Sequence, residues 1–224
     1  MRYIIVTGGP LPQESAKLIK ELSASDEDTV LIACDGGCDI LARNNIVPDL
    51  VVGDMDSISE EGLGFINSHN VFIEKYPVEK DWTDSEIALG KTGDEEVILV
   101  TPDSGRLDHV IANLQLALKF KSEGKKITIT DGITYCYPLS GEDSIDIDIS
   151  SMQKPLSVSL VPWDFSRPVT GVTTKGLYYP LENAELNAGS SFSFSNHPVC
   201  DTDTFIVKIS SGLLLVIVVS SVLD

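Results

Sequence analysis

Apolar runs recur along the first 130 residues, at 3–6, 29–34, 50–52, 71–74, 97–101 and 127–130. Several are apolar at every position, without alternation. Successive side chains of a strand point to opposite faces, so such a run suits a strand covered on both sides. Stretches of helical character lie between most of them, at 13–22, 38–44, 59–68, 85–91 and 108–121. Strand–helix alternation predicts an α/β doubly wound, mostly parallel sheet. The pattern changes after Asp131-Gly132. Ser144-Ile-Asp-Ile-Asp-Ile-Ser150 alternates strictly, as a half-buried strand does. Short runs follow at 156–160, 169–173, 191–194, 205–209 and 213–219, punctuated by Gly, Pro, Ser and Asn. They predict a smaller antiparallel β-sandwich. The expected organisation is an α/β domain over 1–132 and a β-sandwich domain over 133–224. No internal repeat or low-complexity tract interrupts it.

Charge narrows the partners. The chain has 224 residues, 16 Lys+Arg against 34 Asp+Glu, and a formal charge of −18. Such a surface repels nucleic acid and anionic membranes, so neither is an expected partner. A nucleotide is still admissible, because Mg²⁺ and a few local cations reverse the sign inside one site. The apolar run 213–219 is too short to span a bilayer. Cys34, Cys38, Cys136 and Cys200 form no CxxC pair, and the first strand begins almost at Met1, so reduced thiols in a cytoplasm are expected. The three histidines offer no zinc spacing, and no G-x-S-x-G elbow is present.

Candidate chemistry sits in aspartates clustered where strands end. Gly53-Asp54-Met-Asp56-Ser57 follows the run 50–52. Two carboxylates at i and i+2 of a turn reach one cation, and oxygen-only ligands suit Mg²⁺ on a polyphosphate. Ser57-x-x-Glu60 also matches a helix capping box. In Lys80-Asp81-Trp-Thr83-Asp84, Asp84 starts a helix and can complete a metal site, while Lys80 meets a phosphate as a point charge. Thr83-x-x-Glu86 is a second possible capping box. Gly105-Arg106-Leu-Asp108-His109 offers an anion site at a helix entry, with Asp108 as N-cap or catalytic group. His109 is expected to pack or to support its neighbours. Asp35-Gly36-Gly37 and Thr7-Gly8-Gly9 suit a nucleotide passing over a tight turn, or simply the turn. Gly90-Lys91-Thr92 is no P-loop: the required earlier glycine is Ser85, and no strand precedes it.

Taken in order, these motifs resemble those of the thiamine pyrophosphokinase (thiamine diphosphokinase) family. The family runs Asp-Gly-Gly, Pro-Asp-hydrophobic-x-Gly-Asp-x-Asp-Ser, Lys-Asp-x-Thr-Asp and Gly-Arg-x-Asp-His. The chain carries Asp35-Gly-Gly37, Pro48-Asp49 through Asp54-Met-Asp56-Ser57, Lys80-Asp81-Trp-Thr83-Asp84 and Gly105-Arg106-Leu-Asp108-His109. Gly176-Leu-Tyr-Tyr-Pro-Leu181 and Ser195-Asn196 extend the match into the β region. The resemblance implies a cytoplasmic homodimer that uses Mg²⁺ and moves pyrophosphate from ATP to the thiamine hydroxyl, leaving AMP. It implies Asp54, Asp56 and Asp84 as metal ligands, with Asp108, Arg106 and Lys80 as catalytic residues. ATP would meet Asp35, Gly36, Gly37, Ser57, Asp81 and Thr83, with Asp35 and Asp81 also as secondary metal ligands or supports of the ligands, and thiamine would meet Asp108, Ser195 and Asn196. Trp163 or Tyr179 is a candidate to stack on thiamine's rings. The chain departs from the family at Ser104, where Gly is usual, at Tyr178, often Lys, and at His197, often acidic or Gln. The last two fall on the acceptor side. Other readings are a pyrophosphokinase for another alcohol such as a hydroxymethyl pterin, a glycosyltransferase, or a non-catalytic nucleotide sensor.

Overall fold

The computed structural model describes residues 1–25 and 28–220. The chain divides into two compact units. One comprises Met1–Ala117 and Gly124–Gly132; the other comprises Leu118–Glu123 and the chain from Ile133 onward.

The first unit alternates β1 (Arg2–Val6), α1 (Gln13–Ser25), β2 (Thr29–Cys34), α2 (Gly37–Arg43), β3 (Leu50–Gly53), α3 (Glu60–Ser68), β4 (Phe72–Lys75), α4 (Asp84–Gly90), β5 (Glu96–Val100), α5 (Leu107–Ser122) and β6 (Lys126–Thr130). Its strands pair in parallel in the order β4-β3-β2-β1-β5-β6. Ile4, Ile5 and Val6 are all fully buried, so β1 is covered on both faces, as its unbroken apolar run predicts. Ile4, Val6, Leu31, Ala33 and Val51 share one core with Ile19 of α1, Leu41 of α2 and Ile66 of α3. From β1 the chain builds outward through β2, β3 and β4, then returns to place β5 on β1's other edge. The connections after β1 and β5 therefore part in opposite directions. A doubly wound sheet binds ligands at such a switch point, outside the carboxyl ends of its strands.

The second unit holds β7 (Thr134–Ser140), β8 (Asp143–Asp148), β9 (Leu156–Pro162), β10 (Val169–Lys175), β11 (Ala184–Leu186), β12 (Thr204–Ile209) and β13 (Leu213–Ser220). They form two antiparallel sheets, β7-β13-β9 and β11-β10-β12-β8. One core joins them, with Val158, Val172, Phe205, Val207, Ile209, Leu214 and Val216 at its centre. Ile147 and Ile149 point into it while Asp146 and Asp148 stay exposed, the outcome of strict alternation. Among the described residues no helix is long and apolar enough to cross a membrane.

Three expectations need correction. Residues 191–194 form a turn, not a strand. Their Ser-Phe-Ser-Phe alternation mimics a half-buried strand, yet Phe192 and Phe194 face solvent. Ser195 then takes a φ of 58°, which ends any extended run. The segment is held beside β9 instead, by Leu160 N–H to Ser193 O (2.9 Å) and Val158 N–H to Asn196 O (2.7 Å). β7 was not foreseen because Tyr-Cys-Tyr-Pro breaks the expected strand chemistry; Pro138 lies opposite Leu215 of β13. β11, three residues long, is too short for periodicity to reveal.

Candidate active site

A cavity of about 590 Å³ opens in the first unit, lined by the turns that follow β1, β2 and β5 and by the segment leading into α4. It lies where the switch-point rule places a ligand.

Its acidic side is built by three turns. Asp35, immediately after β2, takes a φ of 41°, a left-handed conformation that Asp tolerates better than most residues. Its N–H bonds Val52 O (3.0 Å), locking the end of β2 to β3. One carboxylate oxygen, Oδ2, accepts Ser57 N–H (3.2 Å). The other, Oδ1, is buried without a hydrogen-bond partner. At the end of β3, Gly53 has a φ of 150°, and a Cβ there would stand 3.0 Å from Asp35 Cβ and 3.3 Å from Asp84 Oδ2. Only glycine lets the two acids approach on either side of that backbone. Met55, at a φ of 70°, then turns the chain so that Asp54 and Asp56 face one point. Carboxylate oxygens of Asp35, Asp54 and Asp56 all lie within 4.8 Å of one another. Burial, with the neighbouring charges of Asp54 and Asp56, pushes the Asp35 carboxyl up to about 6 despite its bonds to Ser57. An orphaned buried oxygen within an all-oxygen donor set is what a hard divalent cation completes.

Lys80 closes the cluster. Its ammonium donates to Asp54 Oδ2 (3.0 Å) and lies 3.2 Å from Asp84 Oδ1. The bond from Lys80 holds Asp54 below the usual carboxylate range. Burial raises Asp84 instead, and Lys80 offsets only part of that rise. Asp84 is the first residue of α4, and Thr83 caps the helix by accepting Glu86 N–H (3.2 Å). The cap fixes the carboxylate that follows it. Asp84 thus lies beside the triad, joined to it through Lys80, and Asp35 stands nearer Asp54 and Asp56 than sequence spacing suggested.

On the β5 side Arg106 binds Asp108, Nη2 to Oδ2 at 2.5 Å, with both side chains largely exposed. That bond holds Asp108 below the usual carboxylate range. Helix α5 begins at Leu107, so Asp108 lies inside its first turn and is not the N-cap. His109 is exposed and lines the cavity, so of its two expected roles it does not pack in the core. The alternative reading of Ser57 as a cap also fails: Ser59 caps α3, accepting Gly62 N–H (3.1 Å), while Ser57 Oγ donates to Asp56 Oδ1 (2.8 Å). Gly36 and Asp81 line the cavity. Gly37 has a different task, because a Cβ there would stand 2.9 Å from Val6 C. It lets α2 start against the end of β1.

Other lining residues stand at the edge of the motifs or outside them. Thr7 Oγ1 donates to Thr101 Oγ1 (2.9 Å), which also accepts from Asn113 Nδ2 (2.8 Å). All three are buried and tie β1, β5 and α5 together beneath the switch point. Arg43, at the end of α2, also lines the cavity, with Nε bonded to Asp39 O (3.0 Å). Thr7 belongs to the Thr7-Gly8-Gly9 turn named from the sequence, whereas Asn113 and Arg43 fall in no motif, and only the fold brings those two there.

The remaining predicted residues belong to the second unit. Ser195 is exposed and its N–H bonds Ser159 Oγ (3.1 Å). Asn196 organises its surroundings: Oδ1 accepts Tyr179 N–H (3.1 Å) and His197 N–H (2.9 Å), and Nδ2 donates to Tyr179 O (2.8 Å). Tyr178 stacks on His197, with centroids 4.7 Å apart, and meets Tyr179 edge-on at 4.8 Å. The two acceptor-side departures from the family pattern, Tyr178 and His197, therefore form one stacked pair. Trp163 is half-buried at the end of β9.

Comparison with known proteins identifies the family and the fold. The profile of the thiamin pyrophosphokinase catalytic domain matches residues 22–129, and that of the thiamin pyrophosphokinase vitamin B1 binding domain matches residues 144–214. Thiamine pyrophosphokinase of Bacillus subtilis is 30% identical over 218 residues, covering 95% of this chain and 96% of that protein. The crystal structure of thiamine pyrophosphokinase from Bacillus subtilis superposes with a TM-score of 0.80 at 26% identity, covering all of both chains. That of thiamin pyrophosphokinase from Geobacillus thermodenitrificans gives 0.78 at 27%, covering 99% of each. The chain belongs to the thiamine pyrophosphokinase family.

Proposed function

We propose that this enzyme transfers a pyrophosphoryl group from ATP to the hydroxyl of thiamine, yielding AMP and thiamine diphosphate. The convergence of Asp35, Asp54 and Asp56 with Lys80 at the mouth of a doubly wound sheet carries this reading. Asp54 and Asp56 would hold Mg²⁺, with Asp35 as the third ligand and Asp84 beside them. When bound, the ion would neutralise phosphate charge and orient the chain of phosphates.

Transfer of this kind needs positioning and charge neutralisation more than covalent help. Lys80 and Arg106 supply the cations. As long as Arg106 holds Asp108, that carboxylate is a weak base. Once a phosphate engages the guanidinium, Asp108 is freed to accept the hydrogen bond of the thiamine hydroxyl. The hydroxyl oxygen then bonds to the β-phosphorus, the bond from that phosphorus to the oxygen bridging to the α-phosphorus breaks, and AMP leaves. The hydroxyl proton passes to Asp108 or to solvent. Gly36, Ser57, Asp81 and Thr83 shape the nucleotide side, and Gly37 acts on it only by seating α2 against β1.

In the second unit, Ser195 and Asn196 would meet thiamine, the latter by holding the Tyr178–Tyr179 loop. Phe165, Tyr178, Tyr179, Phe192 and Phe194 are exposed there and support a homodimer; light scattering of the purified protein measures it. Free thiols at Cys34, Cys38, Cys136 and Cys200 support a reducing, cytoplasmic setting.

AMP release from ATP and Mg²⁺ should require thiamine; release that a hydroxymethyl pterin supports and thiamine does not would reject the assignment. Asp54→Asn should lower turnover about 100-fold or more at saturating Mg²⁺. Asn196→Ala should raise the KM for thiamine and leave that for ATP unchanged.

A further inference from the structure

Most of the cavity wall is charged or polar, but one stretch is not. Val78 and Trp82 both line it, and they are 68% and 59% exposed. Among the described residues they are the cavity's large aliphatic or aromatic side chains left mostly uncovered. The segment that carries them is held firmly. Lys80, between them, is tied to Asp54, to Asp84 and to Pro77 O (3.4 Å). Thr83, next to Trp82, caps α4. An indole held rigidly at the edge of a polar cavity, with most of its surface bare, is a surface prepared for a flat partner.

We propose that Trp82, with Val78, is the wall on which the purine base of the nucleotide stacks. This rests on the reading of the cavity as the ATP site. The base is covalently joined to the phosphates that Lys80 would neutralise, and Trp82 lies two residues from Lys80, within about 7 Å along the backbone. Asp108, the acceptor-side group, follows β5, whereas Trp82 follows β4. Strands β3, β2 and β1 lie between those two. The base and the acceptor are thereby assigned to different ends of the site. A stacking wall reads the π-face that all bases share, so it supplies affinity more than choice of base.

The chain contains two tryptophans, Trp82 and Trp163. Trp163→Phe leaves Trp82 as the only indole, and its emission reports on that wall directly. AMP with Mg²⁺ should quench or shift the emission, while ribose 5-phosphate and thiamine should not. In the otherwise wild-type enzyme, Trp82→Ala should raise the KM for ATP about 10-fold or more with the KM for thiamine unchanged, and Trp82→Phe should recover most of the loss. Calorimetry with ATP separates the two levels of the claim. If ATP binds while the Trp82 emission stays constant, or if Trp82→Ala leaves the KM for ATP within about two-fold, the stacking wall is rejected alone. Quenching by thiamine and not by AMP also rejects it. If ATP does not bind at all, the nucleotide-site reading falls and the wall with it.

Discussion

Asp35 shows how one residue can work against the fold that holds it. Its carboxyl is raised from about 3.8 to about 6, first by burial and then by the charges of Asp54 and Asp56. The folded state holds the proton more tightly than the unfolded chain does. Its contribution to stability is therefore largest below about pH 3.8 and is lost as pH rises through about 6. Asp35→Asn keeps the shape, the left-handed turn and the bond from Ser57, but removes the charge. Calorimetry on metal-free protein should show a higher Tm than wild type at pH 8, by about 2–4 °C per kcal/mol relieved, and no difference near pH 4. Mg²⁺ should raise the Tm of the wild type and not of the variant. Only part of this was legible in the sequence. Asp54 and Asp56 announce themselves by spacing, because a turn of three residues must bring them near each other. Asp35 lies nineteen positions before Asp54 and joins them only because β2 and β3 pair in parallel with Cys34 opposite Val52.

At the scale of elements, two helix caps allow a clean comparison. Thr83 and Ser59 each accept a backbone N–H three residues on, and each loss to alanine should cost about 1 kcal/mol in urea denaturation. Their effects on turnover should differ. Thr83→Ala frees the start of α4, where Asp84 meets Lys80, so AMP formation should fall several-fold beyond what the lost stability explains. Ser59→Ala frees α3, which carries no proposed ligand, and turnover should hold. Capping-box spacing alone pointed to Ser57 for the α3 cap. Ser57 and Ser59 are chemically equivalent as caps, and the choice falls to Ser59 because Asp39 Oδ1 accepts both its N–H (3.1 Å) and its hydroxyl (2.8 Å). Helix and strand positions were otherwise readable wherever burial imposed a strong period. The failures, at 191–194 and at β7 and β11, fall where the period was mimicked, interrupted by proline or too short.

Across the whole molecule, a charge of −18 is a standing cost to compactness. Raising NaCl from low to physiological concentration should raise the Tm of the apo protein by screening that repulsion, and DNA should not be retained by it under either condition. The second unit's core has its own weak point in Phe205, 1% exposed and among the largest fully buried side chains. Phe205→Ala should cost about 3–5 kcal/mol in urea denaturation. Strand–helix alternation, the switch to period-two strands and the aspartate turns were all determined by local order along the chain, because each depends on residues a few positions apart. The resemblance to one family rests on the same local order. Tertiary structure alone decided that Asp35 stands with Asp54 and Asp56, that Asp84 reaches them through Lys80, and that Asn113 and Arg43 line the cavity. Asp35 and Ser57, and Lys80 and Asp54, lie far apart in sequence, and only the parallel pairing of β2, β3 and β4 brings them within hydrogen-bond range.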